Sequence, residues 1–99
     1  INTAEAISGV PSSWPGYTLE QGSQGPKVRQ IQEQLNVIAG AYPEIPKLEE
    51  DGIYGPETEA AVRKFQSIFG LPVTGEIDYK TWYKISEIYV GVSRIAELS

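Results

Sequence analysis

The sequence predicts an all-α fold, a small bundle of three helices that each follow a glycine-rich turn. Three observations carry that prediction. Apolar residues recur at three-and-four spacing in three separate stretches, which is the mark of one buried helical face. Each stretch follows a turn of similar build: Gly22-Ser23-Gln24-Gly25-Pro26, Gly52-Ile53-Tyr54-Gly55-Pro56 and Gly75-Glu76-Ile77-Asp78-Tyr79. Aligned on Gly25, Gly55 and Asp78, the stretches place Val28, Thr58 and Thr81 in register. One small unit is therefore used three times.

Composition sets the limits around that unit. The 99 residues fit one domain, and a chain of this size buries only ~60–65% of its unfolded surface. That leaves no room for a deep substrate cavity beside a scaffold. The net charge is -5, with Lys and Arg scattered along the chain. Nucleic acid is thereby disfavoured as a partner, because phosphate binding needs a concentrated basic face. With no cysteine and no histidine, the chain has no thiolate nucleophile, no disulfide framework and no usual zinc ligands. No stretch approaches the ~20 apolar residues that span a bilayer, and the opening Ile1-Asn2-Thr3 reads as a piece cut from a longer polypeptide.

Residues 1–17 form an extended lead-in. A short helical turn is expected around Ala4 to Ile7, and then Gly9, Pro11, Pro15 and Gly16 break any regular element. Trp14 is expected to fold back as an anchor. Residues 18–99 form the domain, whose tail after residue 90 reads as a connector to a further unit.

The first helix is predicted from Pro26 to Ala39, with Val28, Ile31, Leu35 and Ile38 inward. Proline suits the first helical position, where its missing N–H costs nothing. Gly40 is expected as the left-handed residue past the end, and Pro43 then forbids continuation. The second helix is predicted from Pro56 to Phe69, with Ala61, Val62, Phe65 and Phe69 inward and Glu57 and Glu59 in the favourable first turn. Phe69-Gly70-Leu71-Pro72 repeats the stop signal. The third helix starts at the cap Asp78 and carries Trp82, Ile85, Ile88, Val92 and Ile95. Gly91 is expected to fray or bend it, since glycine in a helix interior costs ~1 kcal/mol relative to alanine.

Two connections join the helices. The shorter, Gly70 to Ile77, can reach ~26 Å extended, whereas a twelve-residue helix is ~18 Å long. The chain can thus return to where the previous helix began, which would gather the three turns at one end. The other possibility is a wide turn between antiparallel helices, the usual outcome of short loops.

The ordered words Leu19-x-x-Gly22-Ser23-x-Gly25-x-x-Val28-x-x-Ile31-Gln32-x-x-Leu35, Asp51-Gly52-Ile53-Tyr54-Gly55-Pro56-x-Thr58-x-x-Ala61-Val62-x-x-Phe65-Gln66 and Gly70-Leu71-x-Val73-Thr74-Gly75-x-Ile77-Asp78-x-x-Thr81-Trp82 resemble one family. It is the three-helix peptidoglycan-binding domain appended to bacterial and phage cell-wall hydrolases. The resemblance covers about Leu19 to Ile85. It implies a closed bundle of near-parallel helices, no catalytic residues, no cofactor and no metal. It also implies a place outside the cell, in the wall or the spore envelope. The long connection Ala39 to Glu50 and the terminal extensions look like Firmicute tandem versions of the module. The implied partners are peptidoglycan and, within the same polypeptide, adjacent modules or a hydrolase domain.

Under that resemblance the expected ligand-binding residues are Asp51, Gly52, Tyr54, Gly55, Gly75, Asp78 and Tyr79. Converging helix starts would present unpaired N–H groups suited to the carboxylates of peptide stems and lactyl groups. Flat rings stack on sugar faces, and Tyr54 is the first choice, with Tyr79 beside it and Tyr42, Tyr83 and Tyr89 as further candidates. The plainer reading is that the glycines serve backbone geometry and that Asp78 is a cap. Phe65, Phe69 and Trp82 fall on core spacing. The acidic run Glu49-Glu50-Asp51 reads as solvated charge, because a glycosidase pair needs carboxylates ~5–9 Å apart across a cleft and the run lacks the alternation of a calcium loop. The expected function is a non-catalytic wall-binding module. The alternative is a protein-interaction or spacer domain, since the bundle is also similar to the pro-segment of matrix metalloproteinases.

Overall fold

Three helices form, α1 (Pro26–Ala41), α2 (Pro56–Ile68) and α3 (Tyr79–Leu98), in a computed structural model that describes residues 14–98. The expected helical turn around Ala4 to Ile7 lies outside the described residues. In α1 the four predicted inward residues, Val28, Ile31, Leu35 and Ile38, are fully buried. The helix runs two residues past the predicted end. Gly40 is helical and is not among the glycines with positive φ, so the expected left-handed stop is corrected. What ends α1 is Pro43, which cannot donate the next helical bond and drives the residue before it out of the α region. Tyr42 sits there at φ -127° and ψ 80°, its N–H donating to the Ile38 carbonyl.

The second stop forms as predicted. Gly70 takes φ 73°, and the Leu71 N–H reaches back to the Gln66 carbonyl at 2.9 Å, closing the motif that satisfies the last carbonyls of α2. At the start of α3, Asp78 Oδ1 accepts the Thr81 N–H at 2.9 Å, the capping bond. The fraying or bending expected at Gly91 does not end the helix, because α3 continues through it to Leu98. A cost of ~1 kcal/mol at one exposed position does not outweigh the turns of helix on either side.

The turns decide how the helices are arranged. Leu19 and Ile77 form an antiparallel bridge, and Gln24 and Ile53 form another. Both backbone bonds of the first bridge are made, Leu19 N–H to Ile77 O at 3.0 Å and Ile77 N–H to Leu19 O at 2.9 Å. Gly22 donates to Tyr54 O, Tyr54 to Ser23 O and Gly25 to Gly52 O. The extended segment before α1 therefore touches the turns before both α2 and α3. All three helices start from one end of the bundle, and each connection brings the chain back to it.

Trp82, Tyr54 and Phe65 are the largest fully buried side chains, joined in one core by Leu19, Ile45, Ile77 and the α1 residues. The long connection after α1 is held by Asn36, whose Nδ2 donates to Leu48 O and whose Oδ1 accepts the Leu48 N–H at 2.7 Å. Ile45 plugs the core beneath it at 1% exposure. No helix is long and apolar enough to cross a membrane among the described residues.

Candidate functional site

Two buried glutamines build the end where the turns meet. Gln32, in α1, offers Nε2 to Asp51 Oδ1, the Ile53 carbonyl and Thr58 Oγ1, while its Oε1 accepts the Gly52 N–H at 2.8 Å. Gln66, in α2, does the same for the next turn along the chain. Its Nε2 faces Thr74 Oγ1, the Glu76 carbonyl and Thr81 Oγ1, and its Oε1 accepts the N–H groups of Thr74 and Gly75. Each of these helices thus grips the turn that follows it, together with the threonine in the first turn of the next helix.

This grip explains the register seen in the sequence. Thr58 and Thr81 are threonine because each receives a glutamine from the preceding helix. Val28 holds the same place in α1, which no helix precedes among the described residues, and it is buried without needing a hydroxyl. The glutamines follow the patterns Val28-x-x-Ile31 and Val62-x-x-Phe65. In α3 Ser86 follows the inward Ile85, and its buried hydroxyl has no partner among the described residues. Gln32 and Gln66 enter the sequence motifs only as letters without a role. The available signal was an uncharged polar residue directly after an inward apolar one, Ile31 or Phe65, and one helical turn past another, Val28 or Val62.

The expected binding residues separate under this geometry. Tyr54 is 1% exposed and its hydroxyl donates to the Gly75 carbonyl at 2.6 Å. Its ring has no face to offer a sugar, so the expected stacking role is corrected: the residue fills the space between the turns. Gly52 and Gly75 are buried beside it. A Cβ on Gly75 would lie 2.8 Å from Glu59 Oε2 and 2.9 Å from Arg63 Nε, at a φ of +79°. One on Gly52 would lie 3.1 Å from the Gly25 carbonyl oxygen. Close approach thus requires glycine at both turns. Gly55 accepts the Glu59 N–H, and Asp78 is occupied as a cap.

Asp51 is exposed, yet its Oδ1 accepts bonds from the Ile53 N–H at 3.0 Å and from Gln32. The Ile53 bond first, and Gln32 second, hold its carboxyl below the usual 3.8. Glu59 accepts from Gln21 and from Arg63, and these bonds hold its carboxyl below the usual 4.5. Both carboxylates therefore stay ionised near neutral pH, the opposite of what a general acid requires. Burial first, and then the negative charge of Glu59 and Glu76, push the Tyr54 phenol well above its ordinary 10.0. Asp51 and Ile53 border two open recesses, one of about 270 Å³ reaching Lys47 and Glu57, the other of about 450 Å³ beside Gln24 and Arg29.

Of the two tyrosines placed first at the site, Tyr54 and Tyr79, Tyr79 presents its ring to solvent, at 51% exposure. It lies near-parallel to Tyr83, with centroids 6.0 Å apart and planes at 24°. Trp14 stands edge-on to Tyr79 at 5.7 Å and to Trp82 at 5.8 Å, so the lead-in does fold back at that residue. Residues 24–85 match the family described as peptidoglycan binding domain. The chain belongs to that family. The matched stretch starts in the first glycine turn and ends in α3, so it spans all three units and both glutamine grips.

This peptidoglycan-binding module is similar to part of a zinc D-Ala-D-Ala carboxypeptidase of Streptomyces albus G, with 41% identity over 76 residues that make up 77% of this chain and 28% of that protein. It is also similar to part of an autolytic lysozyme of Clostridium acetobutylicum, with 50% identity over 46 residues, 46% of this chain and 13% of that protein. The chain thus spans under a third of the length of either relative. Among solved structures it resembles the SleB N-terminal domain, with a TM-score of 0.66 and 29% identity over 77% of this chain and 97% of that one.

Proposed function

We propose that this peptidoglycan-binding module is a non-catalytic part of a longer wall-acting protein and serves to hold that protein on its substrate. The observation that carries the reading is the family match over residues 24–85. Two wall enzymes, a carboxypeptidase and a lysozyme, contain a similar stretch as a minor part of their length, which supports a hydrolase as the rest of the polypeptide. The family match supports a place in the cell wall. Affinity for one module is expected to be modest, and tethering to a second wall-binding unit raises it through effective concentration.

Co-sedimentation tests this reading. The chain is mixed with purified insoluble peptidoglycan from vegetative walls and from spore cortex at low salt, and the pelleted fraction is measured. Binding to either is the expected result, and recovery in the supernatant with every wall type overturns the reading. Incubation with soluble muropeptides should give no turnover by chromatography.

A further inference from the structure

The exposed side of α3 carries a feature that the glutamine grips do not explain. Tyr79 and Tyr83 are 51% and 46% exposed, and their rings lie against each other. At 6.0 Å and 24° the pair is offset, so neither ring covers the other's face completely. Tyr79 is also backed. Trp14 meets Tyr79 edge-on, the same indole meets buried Trp82, and Lys27 Nζ lies 5.7 Å over the Trp82 ring. Rings fixed from behind lose little rotamer freedom when a ligand covers them.

Charge is arranged to match. The chain is acidic overall, yet Lys80 lies three residues before Tyr83, which places it beside that ring on the helix surface. The neighbouring acids are engaged: Asp78 caps Thr81, and Glu87 pairs with Lys84 at 3.2 Å. We propose that Tyr79 and Tyr83 are the glycan-strand site, with pyranose faces stacked on the two rings and the carboxylate of an attached peptide stem reaching Lys80. The proposal rests on the wall-binding reading and names its contact surface.

Equilibrium co-sedimentation with purified peptidoglycan tests it on the wild type, Tyr83→Ala, Tyr83→Phe, Lys80→Glu and the control Tyr17→Ala, an exposed ring outside the pair. Tyr83→Ala is expected to weaken binding at least about fivefold, the scale of a lost ring contact, while Tyr83→Phe and Tyr17→Ala bind as wild type does. Lys80→Glu should weaken binding to intact walls and lose its effect on walls stripped of peptide stems by an amidase. Thermal melts confirm that each variant is folded. If the wild type binds no wall, the wall-binding reading itself fails. If the wild type binds and folded Tyr83→Ala binds equally well, the reading stands and the ring-pair site is overturned. The site is equally overturned if Tyr83→Ala only converts a dimer to a monomer in sedimentation velocity, since the rings would then meet a second copy.

Discussion

Gln66 lies within hydrogen-bond distance of five groups across the turn before α3, of which its two amide protons and its oxygen can pair four at a time, and an apolar side chain of similar size would leave the buried ones unpaired. Each orphaned group costs about 1–3 kcal/mol where water cannot replace the bond. Gln66→Leu is therefore expected to lose at least about 3 kcal/mol in urea denaturation. The Tyr54 phenol makes a different test. Its proton is held more tightly folded than unfolded, so its contribution is complete below pH 10 and is lost as pH rises above it. Wild type should lose stability in alkaline melts above about pH 10, whereas Tyr54→Phe should start lower, with the Gly75 carbonyl unpaired, and change less over that range. Asp51 and Glu59 give the opposite slope. Their carboxyls are depressed in the fold, so their stabilisation is present above the unfolded values of 3.8 and 4.5 and disappears as pH falls below them. The melting temperature should hold at neutral pH and fall below about pH 4. At this scale the sequence was a partial guide. Val28, Phe65 and Trp82 were legible from helical period. Tyr54 was not, because a tyrosine in a turn is ordinarily exposed, and its burial follows from a turn distant in the chain offering the Gly75 carbonyl.

Two glycines with the same local appearance behave differently once the elements are formed. Gly70 and Gly40 both follow a run of inward apolar residues and both precede a proline. Gly70 takes the left-handed conformation, while Gly40 stays helical, and a methyl group added there would meet nothing within 4 Å. The difference lies in distance to the proline: Pro72 follows Gly70 by two residues and Pro43 follows Gly40 by three, which leaves room for another part-turn of helix. Gly40→Ala should therefore stabilise the protein by about 0.5–1 kcal/mol, where a left-handed stop would have made the same change harmful. Gly75→Ala should destabilise it by more than Gly70→Ala, because it adds a clash with Glu59 and Arg63 to the backbone strain. Thermal denaturation of the three variants measures both signs. Helix existence and starts were legible because proline, glycine and Asp78 mark them directly, and the end of α1 was not because one letter serves two conformations.

For the whole molecule, the direction of the helices was beyond local signals. Loop reach permitted either arrangement, and the resemblance favoured the one found. The backbone bonds from residues 19–25 to both later turns then show all helices starting together. Leu19 is the tie between the first and the last unit, 1% exposed and bonded twice to Ile77. Leu19→Ala is expected to cost about 2–5 kcal/mol and to lower the melting temperature by roughly 10 °C or more, in one transition seen equally by far-ultraviolet and near-ultraviolet circular dichroism. Two separate transitions would show that the third unit melts apart from the first.

The glutamine grips run in one direction only. Gln32 precedes the turn it holds, Gln66 precedes the next, and among the described residues no buried glutamine of α2 or α3 reaches back to the turn before α1. A chain made from its amino end therefore has each clasp in place before the loop it fastens appears. The Leu19 to Ile77 bridge runs the other way, and it leaves a large apolar side chain waiting until the third turn has been synthesised. Fragments that stop short of Ile77 lack Thr81 and are expected to carry one complete clasp, that of Gln32, and an uncovered Leu19, so the step that completes the domain comes late, when its last turn meets its first extended segment.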